Sequence, residues 1–320
     1  MKRNVIVVTV LTGILTALTL LPAEAQDLNQ GQAAQNPPAS GQATQNPPAS
    51  GQATQNPPSS GQTKPATQPG QAAPAGPPAP TPDERNAYNA IQHELDPARQ
   101  AQLVDDFAKK YPSSSLLSDV YFFGAYSYQS QNNVAKAVEY GEKSLEANGN
   151  NLRSLLLLAG LLPQPQEMQG SDADKAKKLD EAEGDASKAL AQIATLNLPN
   201  MPPDQASQIK ASITSQAHAS LGMVHLQRAT MSLAGTDPQE LGKAETEYKT
   251  AVTTPKPTAE DYFRLGEVYA MENKYDDGID AFTQCSKLSQ GGPLQSMADG
   301  ETEKLKKAKA QAPPPAAAKP

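Results

Sequence analysis

Large and small apolar positions recur at steps of three, four and seven through the middle of the chain. That spacing gathers side chains on one face of an α-helix. Tyr262, Leu265, Gly266 and Tyr269 form one such set, followed by Gly278, Phe282 and Cys285. Tyr121, Gly124, Ala125 and Tyr128 form another, followed by Ala137, Gly141 and Ser144. In both, nine residues separate the second tyrosine from the next small residue. Two looser copies follow. Leu155, Leu158, Ala159 and Leu162 pair with Ala182, Ala186 and Ala189; His218, Leu221, Gly222 and His225 pair with Ala244, Tyr248 and Ala251. Their separations are 20 and 19, which predicts inter-helix loops longer by about one to three turns' worth of chain.

Helix starts punctuate the same region. Thr81-Pro82-Asp83-Glu84 sets a capping hydroxyl, a proline suited to the first helical position and the glutamate of a capping box. Asp237-Pro238-Gln239-Glu240 repeats the device, and Asp96-Pro97 is a partial version. A first hairpin is expected at about 83–111, and a closing helix at 294–310 whose Glu301, Glu303, Lys304 and Lys306 suit a solvated cap. Period-two runs of β-branched residues are missing after Val8, so the body reads as all-α.

Outside the body the pattern changes. Residues 1–25 read as a signal peptide: Lys2 and Arg3, an apolar stretch from Val5 to Leu21, then Ala23-Glu24-Ala25 as a cleavage site. An uncleaved anchor is the competing reading, since the stretch approaches the roughly 20 residues that span a bilayer. Residues 26–80 form a Pro/Gln/Gly-rich arm in which GQAAQNPPAS, GQATQNPPAS and GQATQNPPSS run consecutively from Gly31 to Ser60. With nothing apolar to bury, the arm is expected to be disordered, and residues 311–320 to be a short disordered tail. The arm reads as a tether or spacer, or else as a contact for the cell wall or a proline-reading partner.

The spacing of the body, 81–310, resembles the tetratricopeptide repeat, whose signature is a large residue-x2-Leu-Gly-x2-Tyr, then Ala-x3-Phe, then Pro. AKAVEYGEKSLEANGNN is close to that family's second helix and exit turn, although Gly141 replaces an aromatic and Gly149 a proline. Both departures are expected to loosen that hairpin. FAKKYPSSSLLSDVYFFGAYSY is similar to the repeat modules of periplasmic proteins of the envelope. The resemblance implies a right-handed solenoid of stacked helical hairpins and a concave groove, lined by first helices, that takes a peptide or a partner helix. Carried over by register, the groove residues are Phe122, Tyr126, Arg153, Met223, Gln227, Phe263 and Glu267. Phe122 and Phe263 stand equally as packing residues. Arg153 and Glu267 are expected on the surface, where they would orient a peptide by charge.

Composition narrows the classes. All but four of the 27 Lys/Arg and all but two of the 34 Asp/Glu lie between Thr81 and Ala310, so the body is acidic and the arm almost uncharged. That disfavours nucleic acid and anionic membrane surfaces. A single cysteine, Cys285, permits no internal disulfide and is read as a buried helix residue rather than an intermolecular link. Candidate chemistry is sparse. His218 and His225, seven apart, sit where the repeat expects packing residues and are read as core, not as metal ligands. The acidic run from Asp172 to Asp185 lacks the glycine and spacing of a calcium loop and reads as a capped, solvated helix start. No phosphate loop, nucleophile elbow or dinucleotide glycine pattern occurs. The expectation is an exported, non-catalytic scaffold of the cell envelope, periplasmic or extracellular, with no cofactor and no metal. Its partner is a protein or peptide of the envelope, and no span remains in the membrane after cleavage. A structural spacer acting through the arm is the alternative reading, and an accessory to solute or polysaccharide handling a more distant one.

Overall fold

The structure, a computed structural model, describes residues 79–199, 201–231 and 235–312. The expected signal segment, residues 26–78 of the arm and the tail from residue 313 lie outside the described residues. Eleven α-helices and no strands are found among the described residues. They are α1 Pro82–His93, α2 Pro97–Lys110, α3 Leu117–Ser130, α4 Val134–Ala147, α5 Leu152–Leu161 and α6 Asp172–Thr195; then α7 Pro203–Met231, α8 Pro238–Val252, α9 Ala259–Met271, α10 Tyr275–Leu288 and α11 Pro293–Gln311.

The predicted starts are where the helices begin. Thr81 accepts from the Glu84 amide while the Glu84 carboxylate takes the Thr81 amide at 2.6 Å, a reciprocal box that satisfies two otherwise free donors. Asp96 and Asp237 cap α2 and α8 ahead of their prolines. Ser171 and Asp174 form a box at α6, so the acidic run there opens a helix. The turns inside two hairpins are built alike. Asn132 and Asn273 take left-handed φ values of 57° and 59°. The amides that follow, of Asn133 and Lys274, reach back 2.9 Å to the carbonyls of Tyr128 and Tyr269. Asparagine tolerates this conformation better than other side chains, and the bond ties off the helix C-terminus.

Helices pair in sequence as α1–α2, α3–α4, α5–α6, α7–α8 and α9–α10, and each second helix also packs on the next hairpin's first. α11 closes the stack against α10 and α9. First helices touch their counterparts, α1 on α3, α5 on α7, α7 on α9 and α9 on α11, so they line one face of a solenoid. Small residues set the closeness of each crossing. A Cβ on Gly266 would lie 2.8 Å from the Phe282 ring, and one on Gly222 would lie 2.9 Å from the Tyr248 ring. Phe282, Tyr248 and Cys285 are buried there.

Three expectations are corrected. The long separations are only in part loop: residues 162–171 join α5 to α6 where 131–133 join α3 to α4, and the rest is added helix. α7 runs on from His225 to Met231, α8 begins six residues before Ala244, and α6 begins ten before Ala182. Continuing a helix keeps the inserted backbone hydrogen-bonded, which a loop does not. The hairpin bearing Gly141 is not loosened: a Cβ there would lie 2.8 Å from Leu158, so α4 needs glycine to approach α5. The missing ring is supplied one residue earlier by Tyr140, which packs on Gly124. Arg153, expected on the surface, is 3% exposed. α5 is enclosed on nearly every side, with Leu155, Leu156, Leu157 and Leu158 in the core, and it takes Arg153 inside with it.

Candidate functional site on the first-helix face

All seven residues expected in the groove lie on α3, α5, α7 and α9, in unequal surroundings. On α3, Phe122 is buried and Tyr126 half-buried, with their rings 6.4 Å apart. Burial pushes the Tyr126 phenol above its ordinary range. Arg153 of α5 lays its guanidinium over Phe122 at 4.6 Å and over Phe123 at 5.3 Å. It donates to Asp119 at 2.7 Å, and Asn151 donates to the same carboxylate oxygen at 2.9 Å. Beneath lies a hydroxyl cluster in which Ser154 and Ser144 sit 2.7 Å apart and Ser144 donates to the Ser118 carbonyl at 2.7 Å. The Arg153 charge is thus paired and stacked within the fold, so at this position the resemblance gives the place but not the role.

α7 and α9 are more open. Met223 and Gln227 are half-buried on α7, and Gln227 donates to the Pro163 carbonyl at 3.1 Å, tying α7 to the turn after α5. On α9, Phe263 is buried and packs edge-on to Phe282 at 5.2 Å. Glu267 is half-buried and receives Arg264 Nη1 at 2.8 Å. The other terminal nitrogen of Arg264 stands 4.0 Å from Glu260. Burial pushes the Glu260 carboxyl up to about 7 although Arg264 pulls the other way. Burial also raises Asp261, against the lowering effect of its bonds to Thr258 in the capping box of α9.

The sequence reading missed Asp119, Glu260, Arg264 and Tyr248. Glu260 was findable: it lies seven residues before Glu267, hence on the same helix face. Tyr248 was read only as packing. The histidines are more than core residues. His225 is buried and His218 half-buried, and each places Nδ1 against a carboxylate of α8, Glu240 at 2.7 Å and Glu247 at 2.6 Å. Cys285 is fully buried, and burial pushes its thiol up to about 11. A thiol so placed is a poor nucleophile. Among the described residues no group of three or more His, Cys, Asp or Glu is placed to hold a metal ion. No helix among them is long and apolar enough to cross a membrane. What these helices leave partly open to solvent is the Tyr126 ring, the Met223 thioether, the Gln227 amide and the Arg264-paired Glu267.

No protein-family model and no curated protein matches the chain. Among solved structures it is similar to the crystal structure of a thermophilic tetratricopeptide-repeat protein of Thermus thermophilus, at 15% identity and a TM-score of 0.46. That match covers 68% of this chain and 98% of the other.

Proposed function

We propose that this chain is an exported, non-catalytic interaction module of the cell envelope, binding a peptide or partner helix along its first helices. The Pro/Gln/Gly-rich arm acts as its tether. One observation supports the reading: Tyr126, Met223, Gln227 and Glu267, on the first helices α3, α7 and α9, are each still partly open to solvent. Together they offer a partner segment aromatic, thioether, amide and carboxylate contacts. Export rests on the pattern of residues 1–25, and the envelope on the combination of that segment with the low-complexity arm. The burial of Phe122, Arg153 and Phe263 favours the alternative at those three positions, where packing already occupies the side chain.

The test is capture from envelope extract by the mature chain, by a form lacking Gly31–Ser60 and by a Tyr126→Ala/Met223→Ala variant. The reading expects the deletion to retain the partner and the double variant to lose it. Capture that follows the decamers and ignores the double variant makes the protein a spacer acting through its arm.

A further inference from the structure

The chain enters α1 beside a run of aromatic rings on the first helices. Tyr88 of α1 meets Phe123 of α3 edge-on at 5.9 Å, Phe123 meets Phe122 at 5.8 Å, and Phe122 meets Tyr126 at 6.4 Å. Tyr88 and Phe122 are buried, whereas Phe123 and Tyr126 are half-buried and keep part of their surface in solvent. Arg153, the charge laid over Phe122 and Phe123, is spent on Asp119. The surface that remains suits an uncharged, apolar occupant.

The arm ends at this place. Its last residue already touches the helix: Pro80 is half-buried, and its carbonyl accepts from Arg85 of α1. No charged residue lies between Pro65 and Pro80, and Ala73–Pro80 reads APAGPPAP. α1 and α3 are both first helices and run the same way. With Tyr88 beside Phe123, Tyr126 stands level with Ile91, ten residues beyond Thr81. That stretch of helix rises about 15 Å, which a polyproline II segment covers in about five residues. Ala73–Pro80 has residues to spare for the reversal at Thr81. Proline-rich segments dock on aromatic side chains at low entropic cost, because their backbone is stiff beforehand. A segment tied to its site meets it at an effective concentration on the order of millimolar, which populates a contact too weak to form between molecules. The tail from residue 313 is also proline-rich, but it leaves from α11 at the other end of the stack.

We propose that Ala73–Pro80 folds back as a strap over Phe123 and Tyr126, an occupant that the chain itself provides for the α1–α3 end of the first helices. A partner segment reaching that end displaces the strap, while Met223 on α7 and Glu267 on α9 lie beyond it. The strap rests on the rings and on where the arm ends, and needs neither export nor capture of a partner.

The test is NMR on the whole mature chain with 13C-labelled proline. The expected result is nuclear Overhauser contacts from Pro74, Pro77 or Pro78 to the Phe123 and Tyr126 rings, with those proline signals displaced upfield by the ring currents. Tyr126→Ala is expected to remove the contacts and return the proline shifts to coil positions. Pro77→Ser/Pro78→Ser, which leaves the packed body untouched, is expected to move the Tyr126 ring signals and leave those of Tyr248 in place. Should Tyr126→Ala melt low, the proline variant alone carries the comparison. The proposal is overturned if the three prolines sit at coil positions without ring contacts, or if the contacts come from Pro313–Pro315 of the tail. Mixing labelled with unlabelled chains separates self from neighbour: isotope-filtered contacts between copies would assign the rings to a second molecule and overturn the strap.

Discussion

Arg153 is the residue whose surroundings depart furthest from its sequence context. A polar residue at the second position of a helix invites a surface reading. The run of leucines behind it turned out to be enclosed all round, and a buried guanidinium must then be paired. Asp119, Asn151 and the two phenylalanine rings meet that need. Arg153→Ala is therefore expected to cost about 3 kcal/mol, the low end for breaking a buried pair, since Asp119 keeps some contact with water. A urea melt of the variant checks this, and a loss below roughly 0.5 kcal/mol would return Arg153 to the surface class. Phe282→Ala is expected to cost about 3–5 kcal/mol, because the ring fills the space that Gly266 leaves open. Tyr248→Phe keeps the ring and deletes an unpartnered hydroxyl, so it is expected to gain about 1 kcal/mol.

At the scale of elements, the turns of the second and last hairpins carry the most specific backbone requirement. Asn132 and Asn273 hold positive φ. Asn273→Gly is expected to leave the melting midpoint within error of wild type, whereas Asn273→Val is expected to cost about 1–2 kcal/mol. Equal losses for the two would show that the asparagine side chain, not the backbone conformation, holds the turn. Helix starts were legible because capping is local chemistry: Thr81, Asp96 and Asp237 announce themselves beside their prolines. The hairpin pairing was legible from the Gly266–Phe282 spacing, since the crossing demands a small residue opposite a ring. Two features were not. Inserted residues between His225 and Ala244 carry no mark that separates helix extension from loop, because both are mostly polar. The Tyr140-for-Gly141 exchange hid for a different reason: the ring moved by one residue while its small partner moved from Ala125 to Gly124, and register alone cannot see a paired shift.

The whole molecule is acidic, and its buried carboxyls give stability a pH dependence of known sign. Burial, with Glu181 and Glu142 nearby, pushes Asp185 up to about 7, and burial does the same for Glu260. A folded-state value above the unfolded one means a contribution that is full below the ordinary carboxylate range and is lost as pH rises from there to about 7. Glu240 and Glu245 run the other way: despite burial, Lys243 and His225 hold the first below its ordinary value and Lys274 the second. Their contribution is lost as pH falls through the carboxylate range. Stability is therefore expected to peak at about pH 4–5. Thermal midpoints at acid, intermediate and alkaline pH check this, and Asp185→Asn with Glu260→Gln should flatten the alkaline limb alone. The central claim, that the first-helix face meets the partner, is tested most directly by photo-crosslinking in intact cells. A photoreactive side chain is placed in turn at Met223, at Gln227, at the exposed Lys177 on second helix α6, and within Gly31–Ser60. The account predicts partner adducts from Met223 and Gln227 and none from Lys177. Adducts from the decamers alone, with Met223 and Gln227 silent, would contradict it.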